Sequence, residues 1–144
     1  MAVYPAATPI PPASDPATQG FADIEGLYSV HLAAVLGVRV VTVLPAGFET
    51  ALPIIRVGTA GGVDDQLTIR MRLDVETFAA TRPLSRDLAE QARAAIRATS
   101  HTVLGNGWLI DVAETLNSPF WVDYADDRVR RYMSIYQISS RIRR

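Results

Sequence analysis

Leu67–Ala79 reads LTIRMRLDVETFA, and its first ten residues keep strict time. Leu67, Ile69, Met71, Leu73 and Val75 alternate with Thr68, Arg70, Arg72, Asp74 and Glu76. A period of two is the signature of a strand with one buried and one wet face, because successive side chains leave a pleated backbone on opposite sides. A sheet with one solvated face is characteristically antiparallel, so this strand predicts the fold class: helices packed on one side of a mainly antiparallel sheet.

Upstream lie two short runs of a different kind. VRVVTVL (38–44) and LPIIRV (52–57) are apolar and rich in β-branched residues, and they predict strands covered on both faces. The second ends at GTAGG (58–62), which reads as a glycine turn. Before them, Ile24, Leu27, Tyr28, His31, Ala34 and Val35 recur at helical spacing, and Gly37 stands where a helix would stop.

Downstream, Pro83 suits a first helical turn. The helix that follows sets Leu84, Leu88, Ala92, Ala95, Ile96, Thr99 and Val103 against Arg86, Asp87, Glu90, Arg93 and Arg97 on the other side. Gly105-Asn106-Gly107 predicts a turn, and WLIDVAETL a strand broken by Asn117-Ser118-Pro119. In RYMSIYQISSRIR, Tyr132, Tyr136, Ile138 and Ile142 share one face of a closing strand. The expected product is one α+β domain over residues 20–144, with about five strands and two helices.

Residues 1–19 stand apart. Five of the nine prolines fall within the first sixteen positions, and Asp15 is the only charge, so an extended, polyproline-like arm is expected. At about 3.1 Å per residue it could reach about 60 Å. That exceeds the width of the remaining domain, about 35 Å by compactness scaling.

Charge is distributed unevenly. The chain has a net charge of −1, yet residues 1–127 carry eight Arg against fifteen acids, while residues 128–144 carry six Arg and no acid. A cationic terminus with Tyr132 and Tyr136 is the one candidate nucleic-acid feature. Against it, charge is also what an edge strand carries to discourage chance pairing, and an Arg fork meets a carboxylate bidentately.

Other chemistry finds little footing. There is no cysteine, so no disulfide, thiolate nucleophile or sulfur-ligated metal is expected. His31 and His101 have no companion ligand at a metal-binding spacing and read as core or rim histidines. Asp64-Asp65 and Asp126-Asp127 are paired acids without a third ligand. GTAGG lacks the following Lys of a phosphate loop, and no nucleophile elbow occurs. No catalytic residue, cofactor or metal is therefore expected. No apolar run approaches eighteen residues and the start lacks a signal-peptide pattern, so a soluble protein without membrane contact is expected.

The stretch PFWVDYADDRVRRYMSIYQISSRIR (119–143) resembles the closing segment of tail terminator proteins of long-tailed, siphovirus-type bacteriophages, especially those of actinobacteria. There an aromatic or Pro turn leads through an N/D-x-x-V-R-R-Y-like step into a final strand of alternating Tyr, Ile or Val and Arg. Here the step is Asp127, Arg128, Val129, Arg130, Arg131, Tyr132. A first helix running into GVRVVTVLPAGFETALPIIRV, then GTAGG, LTIRMRLDVETFA and LAEQARAAI, agrees in order, so the resemblance spans residues 21–143.

The resemblance implies a structural virion subunit, assembled in the host bacterial cytoplasm, that forms a homohexameric ring at the head-proximal end of the tail. Its implied partners are its own copies, the tail tube protein and a head-completion or connector protein, with DNA passing through the lumen without specific binding. Another head–tail connector or tube ring protein is the alternative, and a small nucleic-acid-binding protein a more distant one. On this reading Asp126, Asp127, Arg128, Arg130, Arg131, Tyr132, Arg141 and Arg143 are the candidate subunit or ring interface.

Overall fold

The computed structural model describes residues 20–141, so the Pro-rich arm, Ile142 and Arg143 lie outside the described residues. Two helices pack on one face of a six-stranded sheet. In chain order the elements are α1 (Ile24–Leu36), β1 (Arg39–Val41), a 3-10 turn (Phe48–Thr50), β2 (Ile54–Asp64), β3 (Thr68–Ala79), α2 (Arg82–Arg97), β4 (Thr102–Leu104), β5 (Trp108–Val122) and β6 (Arg130–Arg141). The strand order is β1-β2-β3-β6-β5-β4, antiparallel throughout except for the parallel β1–β2 pair.

Both helices are bounded by the signals their sequences carry. The Asp23 side chain accepts from the Gly26 amide at the start of α1, and Gly37 closes it in the left-handed conformation (φ 65°). Thr81 caps α2 through the Leu84 amide at 3.3 Å. α2 is held to β3 by a reciprocal pair: Thr77 Oγ1 donates to the Ser85 carbonyl and Ser85 Oγ to the Thr77 carbonyl, each at 3.0 Å.

The main core lies between helices and sheet. Tyr28 and Leu32 of α1, Ala92 and Ile96 of α2, and Val57, Leu73, Val75, Tyr136 and Ile138 of the sheet are completely buried there. The Tyr28 hydroxyl shares a 2.6 Å hydrogen bond with Thr99 Oγ1, and burial pushes its pKa up to about 12. A smaller cluster sits on the opposite face. Ile54 and Phe78 pack there with Phe48 and Val129, and Phe48, Phe78 and Tyr124 form a triangle of edge-on rings 5.3–5.8 Å apart.

That second cluster corrects the alternation read from the sequence. Leu73 and Val75 are buried as expected, but Leu67 is exposed, and from Val75 to Ala79 every residue is buried. The loops carrying Phe48 and Tyr124 fold under this end of β3, so both its faces are covered. Conversely, VRVVTVL is not covered on both faces: only Arg39–Val41 forms a strand, at the sheet edge, and Val43 is 77% exposed.

GTAGG does not end β2 either. The strand runs on to Asp64, absorbing Ala60 and Gly61 in a bulge between Thr59 and Gly62. Gly62 is obligatory there, because a Cβ would stand 2.0 Å from the Arg70 carbonyl oxygen. In the same way Asn117-Ser118-Pro119 kinks β5 without breaking it, the register slipping at three points between Ile110 and Phe120. Leu84 and Val103, assigned to the buried side of the second helix, are exposed, and Val103 belongs to β4.

Beyond the three-residue edge strands, β2 and β5 have open outer edges. Side chains occupy part of each. Glu25 accepts from the Thr59 amide at 3.2 Å, and Ser100 Oγ accepts from the Ala113 amide at 2.8 Å while facing the Ala113 carbonyl at 3.2 Å.

Leu73→Asp should abolish cooperative thermal unfolding, because an unpaired charge in the helix-facing core costs several kcal/mol. Arg72→Ala, on the exposed side of the same strand, should change stability by less than about 0.5 kcal/mol. Circular dichroism melts of the two variants check the pair.

Candidate subunit interface on the outer sheet face

β6 is an interior strand, hydrogen-bonded to β3 on one side and β5 on the other. Its charge therefore does not protect an edge, contrary to the sequence-based expectation. Alternation along β6 instead divides the candidate residues between two faces.

Tyr132 turns toward the helices. It is buried, its ring meets Trp121 edge-on at 5.7 Å, and its hydroxyl accepts from Arg82 Nε at 3.2 Å. The Arg82 guanidinium in turn lies 4.6 Å from the Trp121 ring centroid, a cation–π contact. Tyr132 is thus a packing residue that ties α2 to the sheet. A stacking platform for bases would need that ring face uncovered.

Arg131 points to the other face. One guanidinium nitrogen donates to Glu76 at 3.2 Å and another to the Asp123 carbonyl at 3.0 Å, while the group stands 5.3 Å from the Tyr124 ring centroid. Arg131 Nε is buried without a hydrogen-bond partner among the described residues. Glu76, only 8% exposed, also takes Arg56 through its second oxygen. One buried carboxylate thus bridges two guanidinium groups from neighbouring strands, leaving one net positive charge beneath the sheet.

Asp126, Asp127 and Arg128 belong to the turn into β6, and Arg130 is the strand's first residue. Asp126 accepts three bonds from Arg128: from its amide at 2.9 Å, Nε at 3.0 Å and Nη2 at 2.7 Å. These bonds hold the Asp126 pKa down to about 2. Arg128 also stands 3.5 Å from Glu49. Arg130 donates to the backbone carbonyls of Asp127 and Val129. At the far end of β6, Arg141 pairs with Asp111 of β5 at 3.0 Å. The structure therefore does not gather the eight predicted residues into one patch. It spreads the seven described ones over a turn and two sheet faces, with in-chain acids facing Arg128, Arg131 and Arg141.

Between the Arg56–Glu76–Arg131 group and the Arg141–Asp111 pair the outer face is mixed: Asp74 and Asn117 flank Ile135, and Arg72 and Glu114 flank Gln137. By register Phe120 stands beside Met133, and Val112 beside Ser139, with Ile135 between the two rows. Phe120 is 38% and Val112 40% exposed. Phe120 and Met133 form a small, partly exposed apolar spot beside fixed charges, and such mixed polarity is usual in non-obligate association surfaces. Sequence reading missed Glu76 and Phe120 as members. The registers Arg56↔Glu76 and Phe120↔Met133 that place them arise from long-range pairing.

Among the described residues no three of His, Cys, Asp and Glu are grouped to hold a metal ion, and no helix is long and apolar enough to cross a membrane. His31 is partly buried beside Tyr28, which lowers its pKa, and His101 is exposed.

No family model matches the sequence, and no curated protein matches it. Among solved structures, the fold is similar to that of a chain in the virion of a native gene transfer agent particle. The TM-score is 0.61 at 15% identity, over 82% of this chain and 94% of that one. The likeness covers nearly the whole of the other subunit, so the fold is shared as a unit.

Glu76→Gln should destabilise the domain by about 1–3 kcal/mol, since two partly buried guanidinium groups lose their common counter-charge. Urea denaturation of the variant measures this. Asp126→Asn separates a second contribution. A carboxylate whose folded pKa is depressed stabilises the fold above its unfolded pKa, and the contribution vanishes as pH falls through the folded value. The stability difference between wild type and Asp126→Asn should therefore shrink between about pH 4, the ordinary carboxylate range, and about pH 2.

Proposed function

We propose that this chain is a structural virion protein: a tail terminator subunit that closes as a homohexameric ring on the head-proximal end of a phage tail tube. The observation that carries the virion reading is the fold likeness to a gene transfer agent virion chain across 94% of that chain's length. The finer assignment rests on the resemblance of residues 21–143 to tail terminators. In this role the ring caps tube growth and offers its free side to a head-completion protein, while DNA crosses the lumen.

The outer sheet face supplies the chemistry for assembly. The partly exposed Phe120 and Met133 would be shielded from water by a neighbouring copy, and the ion pairs beside them would set orientation. In a closed ring each interface is repeated, so a modest gain per contact accumulates around the circle.

Direct nucleic-acid binding is favoured less. Arg128, Arg131 and Arg141 each meet an acid of their own chain, and Tyr132 is buried. Of the four described arginines of the terminus only Arg130 faces backbone carbonyls instead of an acid, so little of their charge is left to release counterions from phosphates.

Reversing charge at Arg131 would be a poor test of the interface, because it sets two carboxylates together under β3. Phe120→Arg is cleaner. Its side chain is partly exposed on the outer face, so the subunit should keep its circular dichroism spectrum and lose incorporation into particles. Normal tails of normal length carrying Phe120→Arg would remove the outer face from the interface. A particle reconstruction placing the chain in a ring of symmetry other than three- or six-fold would remove the hexamer.

A further inference from the structure

The β4–β5 hairpin turns through Gly105-Asn106-Gly107, three exposed residues between the paired Leu104 and Trp108. Gly105 and Gly107 both hold positive φ, 58° and 97°, a backbone conformation that a side chain would resist. Asn106 is thus the one residue of the turn with a side chain, and it stands in solvent.

An asparagine followed by glycine is chemically live. The side-chain carbon Cγ lies within reach of the next residue's backbone nitrogen, and a glycine there has no Cβ to block the approach. Hydrogen bonds to either group would hold it away from the geometry of attack. Among the described residues neither the Asn106 side chain nor the Gly107 amide has a hydrogen-bond partner. Asn117, the other asparagine, differs on both counts. It lies within β5 opposite Ile135, and Ser118 places a side chain beside the attacking nitrogen.

We propose that Asn106-Gly107 is a self-modifying site, at which the chain loses ammonia without an enzyme. The Gly107 nitrogen gives up its proton to solvent and bonds to Asn106 Cγ, the Cγ–Nδ2 bond breaks, and Nδ2 takes a proton back and leaves as ammonia. Water then opens the cyclic imide. Addition at Cγ restores the ordinary backbone with an aspartyl side chain. Addition at the main-chain carbonyl leaves an isoaspartyl link, in which the backbone runs through the former side chain and is longer by a methylene.

The two products differ in consequence. Asn106 is exposed, so a carboxylate there costs the fold little. The longer backbone does not fit. The hairpin closes by pairing Leu104 with Trp108, both only 8% exposed, and Gly105 lies so near α1 that a Cβ on it would stand 2.6 Å from Leu27 Cδ2. The isoaspartyl form therefore frees the hairpin from α1 and loosens that end of the core.

The test ages the full-length protein in mildly alkaline buffer and maps its peptides by mass spectrometry, with isoaspartate detected by enzymatic methylation. The same chain in urea and an Asn106→Gln variant are aged beside it. Expected is conversion at Asn106 at least about tenfold faster than at Asn117, a barrier difference of about 1.4 kcal/mol, slower in acidic buffer and absent from Asn106→Gln. The isoaspartyl fraction should melt several degrees below fresh protein, while Asn106→Asp, which carries the charge without the extra methylene, melts with it. Conversion in urea but not in the folded protein would mean that the turn protects Asn106, and would overturn the site. An isoaspartyl fraction that melts like fresh protein would overturn the release of the hairpin.

Discussion

The pairing of β3 with β6 governs everything else. Twelve consecutive residues, Thr68 to Ala79, match Arg141 to Arg130 without a slip. A one-residue shift would exchange the faces of the whole strand, sending Tyr136 and Ile138 to the outer face and Arg131 and Met133 beneath the helices. The uninterrupted ladder fixes which side of the sheet receives α1 and α2 and which side keeps its ion pairs. Irregularity is confined to the flanking strands, where β2 and β5 carry the bulges.

Local signals were legible in the sequence where a single element decides the outcome. Asp23 and Gly37 bound the first helix, Leu88, Ala92 and Ile96 mark the buried side of the second, and Leu73 and Val75 mark the helix-facing side of β3. Legibility fails where two distant segments meet. Glu76 sits in a run that alternates cleanly, yet it is buried, because loops around Phe48 and Tyr124 close over that end of the sheet. Glycines at 58, 61 and 62 spell a turn by composition, yet the strand runs through them and Gly61 and Gly62 serve a bulge, a distinction that depends on the opposing Arg70 backbone.

The candidate site shows the same division. The dense cationic step from Arg128 to Arg131 is conspicuous in one dimension, and the six C-terminal arginines suggest a positive patch. In three dimensions strand alternation sends Arg131 and Tyr132 apart, and acids more than fifty residues upstream return to neutralise two of the step's arginines: Glu76 faces Arg131 and Glu49 faces Arg128. What sequence could not foretell is that Phe120 and Met133 stand side by side, since only β5–β6 pairing makes them neighbours.

The sheet's edges have a consequence for the protein's life as a free chain. A sheet ordinarily grows by adding strands wherever amides and carbonyls stand unpaired. Here the terminal strands are three residues long, Glu25 and Ser100 already engage the Thr59 and Ala113 amides beyond them, and bulges twist both exposed margins. Strand addition through the backbone thus meets only bulged, partly engaged margins, a poorer template than a long straight edge would be.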